Sequence, residues 1–118
     1  MPDFSETLEL QQRLAELTGA LAAMTDEVGL ARHVREYDSD RRKRVLAIAA
    51  HPLIVAGASS AAADTEARAG ATYGAAMKTL GKELVAAEKV IARWEAVKIQ
   101  IEVARSLLSM QKSTLQNL

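Results

Sequence analysis

The chain contains no cysteine and only four aromatic residues in a length of 118. Without thiols it can form neither disulfides nor a thiolate metal site, which suits a reducing compartment. A compact enzyme core normally uses more large aromatic side chains than this, whereas packed helices need few. The composition therefore favours a helical protein over a globular enzyme.

Net charge and long apolar runs are absent as well. The chain carries 15 lysines and arginines against 15 aspartates and glutamates, so the whole molecule should not be attracted to nucleic acid or anionic lipid. No apolar run approaches the ~18 residues that cross a membrane. The first residues also lack the basic-then-apolar order of a signal peptide. We therefore expect no membrane partner.

Proline is scarce, and none interrupts residues 60–112. Apolar residues recur there in steps of three and four, which is the spacing of one helix face. This spacing predicts a long amphipathic helix over the second arm of the chain. Its stripe consists of Tyr73, Met77, Leu80, Leu84, Ala87, Ile91, Trp94, Val97, Ile101, Ala104 and Leu108.

The first arm, residues 5–50, carries a similar stripe. Ser5 is placed to cap its first turn. A break followed by a helix restarted at Thr25 is one interpretation of the polar residues there, but we expect one continuous helix with those residues on its solvated face. The stripe consists of Leu10, Leu14, Leu17, Leu21, Met24, Val28 and Ala31.

Residues 51–59 connect the two arms. Proline disfavours helical geometry in the residue before it, so His51-Pro52 should end the first arm. Ser59 or Ser60 should cap the second. A connection of this length reverses the chain, which predicts an all-α fold: a single-domain, coiled-coil-like, antiparallel helical hairpin.

Pairing the arms symmetrically about residue 55 predicts a register. It brings apolar residues together and sets Glu6 near Arg105 and Glu9 near Lys98.

Glycine inside a helix costs ~1 kcal/mol relative to alanine, so the three glycines of the second arm need a reason. Close approach of the helix backbones near the turn would supply one. We expect Tyr73 and Gly74 to fix this closely packed end. The three glycines are Gly70, Gly74 and Gly81.

A lone hairpin cannot cover both flanks of its seam, so we expect Trp94, Ile101 and Leu108 to be partly exposed. Self-association into a multi-helix oligomer would bury them, and burial against a different protein is the alternative. Lys98 and Arg105 lie beside this stripe at a spacing of seven. They either select the partner by charge or simply cover the seam with their stems.

The densest charge run offers a nucleic-acid contact, since clustered bases bind phosphates independently of sequence. The alternative is a solvated helix face that balances the acids just before it. Four successive bases point all around a helix, and no aromatic residue lies among them for base stacking. The run consists of Arg41, Arg42, Lys43 and Arg44.

Catalytic, cofactor and metal sites are not expected. His33 and His51 are the only histidines, and a structural zinc site needs four ligands. No glycine-rich phosphate loop follows a strand, and no serine lies on a strand-to-helix turn. Paired carboxylates need a shielded pocket that two helices do not provide.

Residues 40–112 resemble a set of small helical proteins that tailed bacteriophages encode, often among early or recombination genes. The shared pattern is a lysine-rich turn, a Gly-Ser segment, an acidic and alanine-rich helix start, a tyrosine, and a C-terminal helix with tryptophan and Arg-Ser. The corresponding residues here are Arg42-Lys43, Gly57-Ala58-Ser59, Glu66 with Ala67 and Ala69, Tyr73, Trp94, and Arg105-Ser106.

The resemblance implies a non-enzymatic accessory protein in the cytoplasm of a bacterial host, binding a DNA recombination or replication protein. An alternative is inhibition of a host defence or nuclease complex. Residues 1–40 hold nine acids and three bases and would there imitate the charge of DNA. Small secreted helical hairpins of actinobacteria are similar in length and alanine content. Their Trp-x-Gly turn does not occur here, since His51-Pro52 stands in its place.

Overall fold

The computed structural model describes residues 4–117, which are all-α, as predicted. The chain divides into two compact units. The terminal unit combines the residues up to Gly29 with those from Val90 onward, and the central unit is Leu30–Lys89. The helices are α1 (Ser5–Ala23), α2 (Thr25–Val55), α3 (Ser60–Ala69) and α4 (Ala71–Gln116).

Both predicted apolar stripes are confirmed. Every residue of the two stripes is buried or partly buried, so each of these side chains faces into the unit to which it belongs. The fully buried members include Val28, Ile91, Ile101, Ala104 and Leu108 in the terminal unit, and Ala31, Leu80 and Ala87 in the central unit.

The ends of α1 differ from the prediction. Phe4 occupies the N-cap position and Ser5 is the first helical residue, so the prediction of a Ser5 cap is wrong. The expectation of one continuous helix through Thr25 is also wrong, since the helix is interrupted at Met24. The amide of Met24 donates to the carbonyl oxygens of both Ala20 and Leu21 at 3.2 Å, which tightens the last turn of α1.

The end of α2 lies beyond the predicted proline stop. The helix continues through Pro52 to Val55, so the prediction that His51-Pro52 ends it is wrong. Gly57 has a φ of 105°, a left-handed conformation that glycine adopts without strain. Its amide donates to Ile54, and the Ala58 amide donates to Leu53, both at 3.0 Å. This bonding satisfies the last carbonyls and ends the helix.

The second arm begins as predicted but is interrupted. The Ser59 hydroxyl accepts from the amide of Ala62 at 3.2 Å, which confirms a serine cap at this position. Gly70 then adopts an extended conformation, with φ −78° and ψ 148°, and ends α3. The expectation of one helix from residue 60 to residue 112 is therefore wrong at Gly70.

In the terminal unit, α1 and the start of α2 pack antiparallel against α4. Thr7 Oγ1 donates to Gln111 Oε1 at 2.8 Å, while Arg93 Nη2 donates to Glu27 Oε1 at 3.3 Å. The partner on α4 moves from residue 111 back to residue 93 as the position on the first arm moves from residue 7 to residue 27, which is an antiparallel arrangement. The predicted contact of Glu6 with Arg105 is wrong, because Glu6 accepts from Gln111 instead.

The central unit is also antiparallel, with Arg41 of α2 paired to Glu83 of α4 at 2.6 Å. At its turn end, alanines pack α2 against α3. Ala50, Ala63 and Ala67 are buried there. Leu46, Ala49, Leu53 and Ala58 pack around them. Alanines therefore form the centre of the core at this end.

The three glycines of the second arm do not share the predicted role of close backbone approach. A Cβ atom added to Gly74 would meet nothing within 4 Å, and one added to Gly81 would meet only the end of the Arg42 side chain at 4.0 Å. The prediction that these two glycines allow backbones to approach closely is therefore wrong. At Gly70 a Cβ atom would lie 3.2 Å from the carbonyl oxygen of Ala67, which accounts for glycine at the helix break.

Candidate interaction surfaces

Two of the residues predicted to form an interface lie in the core of the terminal unit. Ile101 is 5% exposed and Leu108 is 7% exposed. The expectation that they are partly exposed is wrong, because the hairpin covers them without a second molecule. Trp94 is partly buried. The exposed surface of α4 in the terminal unit is therefore formed by residues other than Ile101 and Leu108.

The bases beside this seam are exposed. The Lys98 ammonium lies 4.4 Å from the centroid of the Trp94 ring, a cation–π contact. The lysine stem and head therefore cover Trp94, as expected of a flanking residue that covers the seam. Arg105 is exposed on the same helix.

The apolar groove, as we call it, lies between α1 and α4 in the terminal unit. It has a volume of about 230 Å³. Ile99 and Val103 of α4 are 60% and 54% exposed, although both are large aliphatic residues. Leu107, 42% exposed, extends the row. The groove is lined by Leu10, Arg13, Ile99, Gln100, Val103, Ala104 and Leu107.

The rim of the apolar groove is acidic. Glu6 and Glu9 of α1 lie at its end, with Arg13 as the base among them. Glu95 and Glu102 are exposed on α4, four residues before and three after Ile99. Residues at these spacings are neighbours on a helix surface. Lys98 is exposed between these two acids, three residues after Glu95 and four before Glu102. Four carboxylates therefore lie near the groove against two bases, Arg13 and Lys98.

Sequence reasoning missed this row of aliphatic residues. The signal was present, since Ile99, Val103, Leu107 and Met110 recur in steps of four, four and three. It was overlooked because the row runs beside the stronger stripe on the same helix. Met110 is 65% exposed, so the row faces solvent over its whole length.

The lysine strip, as we call it, lies on α4 in the central unit. Val85, 55% exposed, is its largest apolar residue. The nearest acids on α4 are engaged elsewhere, because Glu83 pairs with Arg41 and Glu88 pairs with Arg35. The strip is therefore positively charged. It consists of Lys78, Gly81, Lys82, Val85, Ala86 and Lys89.

The pKa of Glu88 is lowered from the ordinary value of 4.5. The hydrogen bonds donated by Arg35 are the main cause, and its positive charge adds to their effect, while partial desolvation acts in the opposite direction. Glu88 is thus held ionised and turned towards α2.

An apolar tip lies at the C-terminal end of α2 in the central unit. Ile48 is 66% exposed and Val55 is 72% exposed. They are seven residues apart, which places them on one helix face two turns from each other. Ile54, 45% exposed, lies next to Val55.

Half of the basic run is engaged in ion pairs. Arg41 pairs with Glu83 at 2.6 Å, and Arg42 pairs with Asp38 at 2.9 Å. Arg42 thus balances one of the acids just before the run, whereas Arg41 pairs with an acid of α4. Lys43 and Arg44 are exposed. Nucleic-acid contact by the run stays a prediction.

The histidines do not gather metal ligands. The His33 and Tyr37 rings lie with their centroids 4.5 Å apart, as expected from their spacing of four. Within residues 4–117, no group of three or more His, Cys, Asp or Glu side chains is arranged to hold a metal ion. Over the same residues, none of the helices combines the length and apolarity needed to cross a bilayer.

Searches against protein-family models, curated proteins and solved structures found no match to this chain.

Proposed function

We propose that this chain is a non-catalytic helical protein that binds a DNA recombination or replication protein of a tailed bacteriophage through the apolar tip of α2. The exposure of Ile48 and Val55 on one helix face carries the proposal. Large aliphatic side chains grouped on a surface lose contact with water when a partner covers them, and such patches are typical of protein interaction sites.

The mode of binding follows from the shape of the tip. A convex helix face with side chains seven residues apart fits a groove on the partner, or the apolar face of another helix. The class of partner comes from the resemblance of residues 40–112 to phage accessory proteins. The bacterial cytoplasm is the proposed location for the same reason.

Capture from a lysate of phage-infected bacteria tests the proposal. The immobilised chain should retain a recombination or replication protein, and the double variant Ile48→Asp, Val55→Asp should lose it. Leu30→Asp is the matched control, because Leu30 is 70% exposed on the same helix of the central unit. Circular dichroism should show the same helix content in all three proteins.

Equal retention by all three proteins would contradict binding through the tip. Retention of a host nuclease instead, lost in the double variant, would replace the proposed partner with the inhibitor alternative.

A further inference from the structure

We infer that the apolar groove of the terminal unit binds the lysine strip of a second copy of this chain. This self-docking surface goes beyond the proposed function, which concerns the tip of α2. The groove and the strip are both exposed, both centred on aliphatic side chains, and opposite in charge.

The apolar part of the contact is supplied by both faces. Ile99 and Val103 keep more than half of their surface in water, as does Val85 of the strip. Covering them removes apolar surface from water, which is the main driving force of most protein association. The stems of Lys82 and Lys89 add methylene groups that can lie along the groove while the ammonium groups reach its rim.

The charges favour this pairing over the other two ways in which two copies can meet. Groove against groove would bring Glu6, Glu9, Glu95 and Glu102 together with their counterparts. Strip against strip would bring lysines together. Groove against strip instead brings three ammonium groups to four carboxylates, and like-charge repulsion disfavours the alternatives.

The two faces also match in length and spacing. The strip runs from Lys78 to Lys89, and the exposed aliphatic row runs from Ile99 to Met110. Both spans measure roughly 17 Å along the helix axis at ~1.5 Å per residue. The strip advances in steps of four, three and four, the spacing with which one helix packs along another.

Charge-reversal variants test the inference in the full chain. Light scattering coupled to gel filtration, at micromolar concentrations, should give the wild type a mass of at least two chains. The strip variant, Lys82→Glu with Lys89→Glu, should have the mass of one chain. The groove variant, Glu95→Lys with Glu102→Lys, should also have the mass of one chain.

Mixing the two variants in equal amounts should restore association. The acidic strip of one variant then meets the basic groove of the other, and the unchanged groove of the first meets the unchanged strip of the second. Lys43→Glu is the matched control for charge reversal, since Lys43 is an exposed lysine on α2. This control should associate like the wild type.

A separate variant tests the apolar side chains that line the groove. Val103→Asp places a carboxylate on an exposed position, so helix content should be unchanged while the mass falls to one chain. The double variant Ile48→Asp, Val55→Asp should associate like the wild type, which makes failure of self-docking distinguishable from failure of the proposed function.

Three results would overturn the inference: a wild type with the mass of one chain throughout, variants that associate as it does, or a mixture that stays at one chain. A wild type of one-chain mass that binds an unrelated basic amphipathic peptide, lost in Val103→Asp, would replace the second copy with another helix as the occupant.

Discussion

Arg35 and Glu88 form a two-point ion pair between α2 and α4 within the central unit. The Arg35 Nε and Nη2 atoms lie 2.7 and 2.5 Å from the two carboxylate oxygens of Glu88. Because an arginine fork matches both oxygens of a carboxylate, this pair fixes geometry as well as charge. It helps to specify which turn of α2 meets which turn of α4.

This ion pair predicts a pH dependence of stability. The pKa of Glu88 is lower in the folded chain than its ordinary value of 4.5, so the pair stabilises the fold fully above that value. The contribution is lost as the pH falls through the lowered pKa. NMR titration of the Glu88 carboxyl carbon should show the lowered pKa, and Arg35→Gln should return it towards 4.5.

Arg44→Gln is the control for this titration, because it removes an exposed arginine from the same helix. It should leave the Glu88 titration where it is. An unchanged Glu88 pKa in Arg35→Gln would show that the pair does not form in solution.

Replacement of Ile91 by alanine should destabilise the terminal unit strongly. Ile91 is 2% exposed and is the largest fully buried side chain in the part of the chain that the structure describes. Truncation of such a residue loses both its burial and its packing, at a cost of about 2–5 kcal/mol. Urea unfolding at one protein concentration, followed by circular dichroism, measures the difference.

The matched control is Ile48→Ala, which makes the same chemical change at a side chain that is 66% exposed. Its unfolding free energy should change by no more than about 0.5 kcal/mol. Similar losses for the two variants would contradict the assignment of Ile91 to the core.

The stripes and the Ser59 cap were predictable from sequence because each depends on local spacing. Steps of three and four define a helix face wherever the helix finally packs. A serine before an alanine-rich helix satisfies an amide that the helix itself cannot. These features need no knowledge of the partner arm.

The register was not predictable in the same way. Symmetry about residue 55 places the reversal at the middle of a connection over residues 51–59, whereas α2 continues to Val55 and α3 follows before the long return helix. The partner is shifted by seven residues at Glu6 and by fourteen at Arg41. A shift of one or two heptads leaves apolar residues facing apolar residues. The stripes alone therefore could not distinguish Arg105 from Gln111 as the neighbour of Glu6, nor show which aliphatic row of α4 faces water.

Alanine at Gly74 should stabilise the chain. The added Cβ atom would meet nothing within 4 Å, and alanine loses less backbone entropy on entering a helix than glycine does. The expected gain is about 0.5–1 kcal/mol in the free energy of unfolding. Thermal unfolding of the variant and the wild type measures it, and a lower midpoint would show that Gly74 has a packing role.

Gly57→Ala should have the opposite effect. Its φ of 105° lies in a region that side chains rarely adopt. The strain of the left-handed conformation costs about 1–2 kcal/mol for a residue with a Cβ atom. Both variants replace glycine with alanine. Opposite changes in the free energy of unfolding would therefore separate the effect of helix propensity at Gly74 from that of the left-handed conformation at Gly57.

Enlargement of Ala63 should disrupt the turn end of the central unit. Ala63 is 0% exposed and packs with Ala50 and Ala67 between α2 and α3. Ala63→Leu adds methylene groups to a space that small residues already fill, which costs about 1–3 kcal/mol. Ala61→Leu is the control on the same helix, because Ala61 is exposed and leucine is also a good helix former. Urea unfolding of both variants tests this packing: equal stabilities would mean that α3 does not rest on α2 in solution, whereas a loss confined to Ala63→Leu follows from the close contact of alanines.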